Sequence, residues 1–190
     1  EILIGLVGSE MCIRDSPNLG RVMEHASWIT DIECIYPTLT YPCHATIATG
    51  CWPDRTGINN NEIPDFFAKG RMDWYWWREA IQVPTVVDFA RQAGLTASTV
   101  TWPVMCASGA EYNIGEIWAP REEDDPTPWF TRANSPAVAK IFEANKHMLR
   151  WMKTPQMDEF AAKCAADIIR AHRPDLMPVS YTHLTLPTTS

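Results

Sequence analysis

The stretch PTVVDFARQAGLTASTVTW, residues 84–102, sets the tightest limit on the fold. Pro84 sits where a first helical turn tolerates a residue without an N–H. Val86, Val87, Phe89 and Ala90 form an apolar face, and Gly94 stands at the C-terminal stop. Leu95–Trp102 is β-branched and reads as a strand. Helix, tight glycine turn and strand in that order give the rhythm of an α/β chain. The expected class is therefore α/β.

The rest of the chain fits that rhythm. Helices are expected over Pro17–Trp28, Ser135–Met152 and Asp158–His172, the last with Phe160, Ala161, Cys164, Ala165, Ile168 and Ile169 at three- and four-residue steps. A strand is expected over Ile29–Tyr36. Ala110–Pro120 reads as a loop with a short strand or turn, and Arg121–Pro128 as an acidic surface loop. Asp175-Leu176-Met177 looks like the entry to a further strand. The cluster Trp74-Tyr75-Trp76-Trp77 reads either as packing that pins a loop to the domain or as a substrate-facing wall.

Both ends differ from the sequence between them. One short DNA element, read on opposite strands, can encode Met11–Ser16 and Val179–His183, and it resembles the transposase end of a sequencing-library adapter. The same likeness extends outward over Leu6–Glu10 and Leu184–Thr188. The alternative, a buried strand in EILIGLVG, rests on a short apolar run bounded by Gly. We expect residues 1–16 and 179–190 to be adapter-derived, and 17–178 to be the native segment, cut at both ends. That reading removes Cys12, Asp15 and His183 from any site.

Charge and cysteine usage narrow the function. The chain holds 16 Lys+Arg and 23 Asp+Glu; setting aside Arg14, Glu1, Glu10 and Asp15 leaves 15 against 20, a net of −5 over 17–178. That argues against a nucleic-acid polymer as partner. No apolar run is long enough to span a membrane. Cys34, Cys43, Cys51, Cys106 and Cys164 form no CxxC pair, so neither a zinc knuckle nor a disulfide framework is indicated. Localisation and oligomeric state stay open.

The chemistry lies in residues 36–61, YPTLTYPCHATIATGCWPDRTGINNN. A lead-in is followed by a short helix that Pro42 can begin and Gly50 can end. Thr40 falls just before the helix, near its N-cap, where unpaired N–H groups and the positive dipole favour an anion. A hydroxyl there can cap the helix. It can also attack phosphorus if a metal helps to ionise it. Local physics alone favours the cap.

The wider pattern favours the nucleophile. Thr38-x-Thr40-Tyr41-Pro42-x-His44-x-Thr46-x-x-Thr49-Gly50, then Trp52-Pro53-Asp54 and Gly57-Ile58-Asn59-Asn60-Asn61, resembles the type I phosphodiesterase/nucleotide pyrophosphatase family of the alkaline phosphatase superfamily. The family's usual form is Thr-Phe-Pro-Asn-His, then Thr-Gly, a Pro and His-Gly-Ile. The match is dense over Tyr36–Asn61 and looser from Pro17 to Met177. The resemblance implies part of an alkaline-phosphatase-like three-layer α/β/α sandwich. It implies hydrolysis of a small phosphate-ester or nucleotide-like substrate through a covalent phospho-threonine. Thr40 matches the nucleophile, which also ligates one of two divalent metal ions, usually zinc. Asn61 matches the Asn that donates to a non-bridging phosphoryl oxygen; by composition alone it is a turn residue.

The departures bear on specificity. Cys43 replaces the usual Asn, and Arg55-Thr56 stand where His often precedes Gly-Ile. His44 reads as structural. At the family's spacing the first metal Asp would fall within Glu1–Ser9, and the later Asp and His ligands would follow Met177, so the remaining ligands are expected outside 17–178. This chain alone is expected to be inactive. Alternatives are another superfamily hydrolase, acting on phosphomonoesters, phosphonates or sulfate esters, and a non-catalytic binding module. Thr40-Tyr41-Pro42-Cys43-His44 lacks the Arg of a sulfatase motif.

Overall fold

The computed structural model describes residues 17–29, 32–63, 74–118, 125–149 and 155–180. The chain divides into two compact units, Glu1–Cys34 with Ser180–Ser190, and Ile35–Val179. In the first unit the described secondary structure is α1 (Pro17–Met23). The expected helix stops five residues short of Trp28, and the described residues of 29–36 form no strand. Residues 1–16 and 181–190, with Cys12, Asp15 and His183, lie outside the described residues.

The larger unit runs α2 (Thr40–Thr49), α3 (Pro53–Thr56), a 3₁₀ turn at Arg78–Ala80, α4 (Val86–Gln92), β1 (Ser98–Val100), β2 (Tyr112–Ile114), α5 (Thr127–Ala133), α6 (Ala139–Asn145) and α7 (Gln156–His172). β1 and β2 pair in parallel with Ser98 opposite Tyr112, Thr99 opposite Asn113 and Val100 opposite Ile114. On the other side of β1, Ala97 bridges Leu176 in parallel, and Ser98 N–H donates to the Leu176 carbonyl at 2.8 Å. The strand entry expected at Asp175–Met177 is present as this single bridge at Leu176, beside the two-stranded sheet. This mixture of helices and parallel pairing is the expected α/β class.

Helix α4 shows how local chemistry sets an element. Thr85 is its N-cap and shares a reciprocal capping box with Asp88. Arg78 pairs with Asp88 and also donates to the carbonyls of Ile81 and Val83 at 2.9 and 3.0 Å. Gly94 takes φ +77 just past the end. The apolar face is narrower than expected: Val87 and Ala90 are buried, whereas Val86 and Phe89 are exposed.

The core of this unit is aromatic and aliphatic. Phe160, Cys164 and Ile168 repeat every four residues along α7 and are fully buried. Phe160 meets Phe130 of α5 and Phe142 of α6 at ring-centroid distances of 6.0 and 6.3 Å. Of the expected Ser135–Met152 helix, residues 150–152 lie outside the described residues, and the rest forms a 3₁₀ turn at Pro136–Val138, α6, and a second 3₁₀ turn at Lys146–Met148. Residues 121–124 of the expected 121–128 loop lie outside the described residues, and Thr127 and Pro128 instead belong to the first turn of α5. A buried polar bridge fixes the sheet: Thr99 Oγ1 donates to Asn113 Oδ1, and Asn113 Nδ2 donates to the Ala133 carbonyl at 2.7 Å. Among the described residues, no helix is long and apolar enough to cross a membrane.

Candidate active site

Leu39 is extended (φ −113°, ψ 153°) and forms the N-cap of α2, with no side-chain cap hydrogen bond. Thr40 is thus the first helical residue, one position inside the cap that local physics assigned to it. Pro42 stands in the first turn, where its missing N–H has no partner to lose. Gly50 ends the helix at φ 66°, its N–H returning to the Thr46 carbonyl at 2.8 Å. Tyr41, Pro42, His44, Ala45 and Ala48 face inward, and Thr40 is exposed.

The cap comes from elsewhere in the chain. Asn61 Oδ1 accepts the Tyr41 backbone N–H at 2.9 Å. A backbone N–H can only donate, so the amide oxygen must face it, and Asn61 Nδ2 is left as the donor. Asn61 is itself anchored: its N–H donates to Asn60 Oδ1 at 2.8 Å, and its carbonyl accepts from Tyr75 N–H at 3.1 Å. The return path from α2 is equally defined. Trp52 caps α3 with Pro53 at its first turn, Gly57 adopts φ 79°, and the next residue, Ile58, is fully buried. The two residues singled out from sequence, Thr40 and Asn61, therefore share one helix start.

That helix start lies across the carboxyl ends of both strands. The His44 ring meets Trp102, two residues past β1, edge-on at 5.1 Å between centroids. The Tyr41 hydroxyl donates to Glu116 Oε2, two residues past β2, at 3.2 Å. Parallel α/β sheets place their ligands at this edge. His44 Nδ1–H donates to the Thr40 carbonyl at 2.7 Å, and burial lowers its pKa while that carbonyl partly offsets the drop. Its place against Trp102 fits the structural role expected of it.

Electrostatics behind the site favour neutral groups. Burial pushes the Glu116 carboxyl up to about 7, partly offset by the Tyr41 hydroxyl. Burial and then Glu116 raise the Tyr41 phenol. The same two causes push the Cys106 thiol up to about 12, an inert setting for a thiol. The tryptophan cluster packs rather than forming an open wall: Trp76 is buried, stacks on Trp74 at 5.5 Å, and both rings stand edge-on to Tyr41.

A divalent metal needs several converging donors. Among the described residues, no three His, Cys, Asp or Glu side chains gather to hold one. Around Thr40, His44 Nδ1 is committed to a carbonyl and the Glu116 carboxyl to Tyr41. These residues do not by themselves fit a metal pair; the polar groups they bring together at the helix start are the Thr40 hydroxyl and the Asn61 amide. Sequence reasoning missed Glu116; only its place shortly after a short strand could have pointed to it.

A family model described as type I phosphodiesterase / nucleotide pyrophosphatase matches residues 5–184. Among curated relatives, venom phosphodiesterase 2 of Crotalus adamanteus is 27% identical over 150 residues, covering 74% of this chain and 16% of that protein. Ectonucleotide pyrophosphatase/phosphodiesterase family member 1 of Homo sapiens is 26% identical over 111 residues, covering 54% of this chain and 11% of that protein. The chain thus spans under a fifth of the length of both relatives. Phosphonoacetate hydrolase from Sinorhizobium meliloti 1021, solved with phosphonoacetate, superposes with a TM-score of 0.56 at 19% identity, over 92% of this chain and 43% of that one. That likeness speaks for the alkaline-phosphatase-like fold alone. On the family match over residues 5–184, this chain belongs to the type I phosphodiesterase/nucleotide pyrophosphatase family.

Proposed function

We propose that the complete protein carrying this chain is a metal-dependent hydrolase of phosphoric esters, of phosphodiester or nucleotide pyrophosphate type, with Thr40 as its nucleophile. The observation that carries this reading is the meeting of Thr40 and Asn61 at one helix start, through the 2.9 Å bond from Tyr41 N–H to Asn61 Oδ1. An exposed hydroxyl at a helix N-terminus, beside an amide with its NH₂ left to donate, is a receptor for a phosphoryl group.

The chemistry follows from those two side chains. Thr40 Oγ forms a bond to phosphorus as the bond from phosphorus to the leaving oxygen breaks. The hydroxyl proton departs from Oγ, and the leaving oxygen takes one up. Asn61 Nδ2 donates to a non-bridging oxygen, where charge grows. Water then cleaves the phospho-threonine, restoring the hydroxyl and releasing the phosphate monoester.

Residues 17–178 would be the N-terminal portion of the catalytic domain, and residues 1–16 and 179–190 adapter-derived. Two divalent ions, zinc by the family resemblance, would bind in the complete protein with Thr40 as one ligand and Asp and His ligands from outside 17–178. They would supply Lewis-acid charge. The substrate class is a small phosphate ester or nucleotide-like molecule. The test is hydrolysis of an aryl phosphodiester by the complete protein and by its Thr40→Ala variant. Loss of turnover in the variant is expected, and full activity would refute the nucleophile assignment.

A further inference from the structure

Behind the helix start lies a hydrogen bond that the phosphoryl chemistry above does not use. The Tyr41 hydroxyl reaches Glu116 Oε2 at 3.2 Å, joining the second residue of α2 to the segment that leaves β2. Tyr41 is 1% exposed, and its ring is held edge-on by Trp74 and Trp76 at 5.3 and 6.1 Å. The far end of the bond is also fixed. The Glu116 carbonyl accepts from Cys106 Sγ at 3.2 Å. At Gly115 a Cβ would lie 2.7 Å from Cys106 Sγ and 2.8 Å from Ala133 Cβ, so the backbone there runs close against both and a side chain does not fit.

Tyr41 is therefore pinned at two points: its phenol by Glu116 and its N–H by Asn61. Thr40 is its covalent neighbour, and Asn61 is its cap. A displacement of Tyr41 would carry both along. The usual family motif has Phe in this place, which fills the ring space but cannot reach a carboxyl.

We propose that Tyr41 and Glu116 are positioning residues for phosphoryl transfer, their hydrogen bond setting the start of α2 so that the Thr40 hydroxyl and the Asn61 amide keep their places at the strand ends. The proposal rests on Thr40 being the nucleophile. A side chain that fixes reacting groups acts on kcat, because small misplacements are costly in rate. A pair that only stabilises the core would lower the melting point and leave kcat alone.

The experiment is a double-mutant cycle in the complete protein with an aryl phosphodiester. Tyr41→Phe and Glu116→Leu should each lower kcat by about tenfold with KM within about twofold. The double variant should be no slower than either single, because both remove one interaction. Glu116→Gln keeps an acceptor for the phenol and should stay within about twofold of the parent. Should Glu116→Leu fail to fold, Tyr41→Phe decides on the same kcat criterion, since its ring volume is unchanged. An unaltered kcat in Tyr41→Phe, or additive losses in the double variant, would overturn the proposal. Thr40→Ala is run beside them: if it abolishes turnover while Tyr41→Phe does not slow it, positioning fails and the nucleophile stands. If Thr40→Ala keeps full turnover, both fall.

Discussion

Replacing Glu116 by Gln should change how this chain responds to pH. The carboxyl stands near 7 in the folded state against an ordinary value of 4.5, because burial disfavours its charged form. Well below 4.5 both folded and unfolded states carry the proton, and the group has no effect on stability. Between the two values the folded state holds more protons than the unfolded one, so stability falls as pH rises. Above 7 the penalty is complete, roughly 3 kcal/mol for a displacement of this size. Among the described residues, the titratable groups that feel Glu116 are Tyr41 and Cys106, both raised and neutral across this range. Gln fills the same space without a proton to lose. The assay is thermal unfolding of the 190-residue chain and its Glu116→Gln variant at about pH 4 and about pH 8.5. The variant should gain on the parent by about 10 °C between the two conditions, given the melting-point sensitivity of a chain this size. A difference between the two proteins that does not change with pH would refute the reasoning.

Other consequences are as direct. On the proposed role of Asn61 as a donor to the phosphoryl oxygen, Asn61→Ala should cut kcat of the complete protein by a factor on the order of 10² to 10³. It should also lower the stability of this chain by about 1 kcal/mol in denaturant titration, because Tyr41 N–H loses its cap. Phe160→Ala should destabilise by about 3–5 kcal/mol in the same assay, since Phe160 is fully buried between Phe130 and Phe142. Chelation should abolish aryl phosphodiester hydrolysis by the complete protein, and added zinc should restore it. Full activity after exhaustive chelation would contradict the metal requirement.

Elements written in local chemistry were legible in the sequence, and those set by distant partners were not. Pro84–Gly94 carries its own start and stop, and Thr85 with Asp88 supplies the cap the helix uses. The stripe in 158–172 survives because burial of Phe160, Cys164 and Ile168 needs only helical spacing. The stretch expected as one helix alternates 3₁₀, α and 3₁₀ turns over 136–148, and Pro136 stands in its first turn, where proline is tolerated, so apolar periodicity located the segment but not its helix type. Pro126 and Pro128 read as loop residues, yet a helix N-terminus accepts proline, and α5 begins there.

The site divides in the same way. Thr40 could be singled out from its motif. The run Asn59-Asn60-Asn61 contains nothing local to say which amide turns to Tyr41; that depends on the path through Gly57 and buried Ile58. Glu116 lies 75 positions from Tyr41, so their bond is a property of the fold and not of any short pattern. Thr40 also shows how a cap reading can mislead: its place at the helix start is real, but the cap hydrogen bond comes from Asn61.

The proposed chemistry turns on attack of Thr40 on phosphorus. Its most direct test is to quench the complete protein with acid during turnover of an aryl phosphodiester and to map the modified peptide by mass spectrometry. The expected result is the substrate's phosphoryl portion attached to Thr40, and no such adduct in Thr40→Ala. Continued turnover in Thr40→Ala, or an adduct on a different residue, would contradict it.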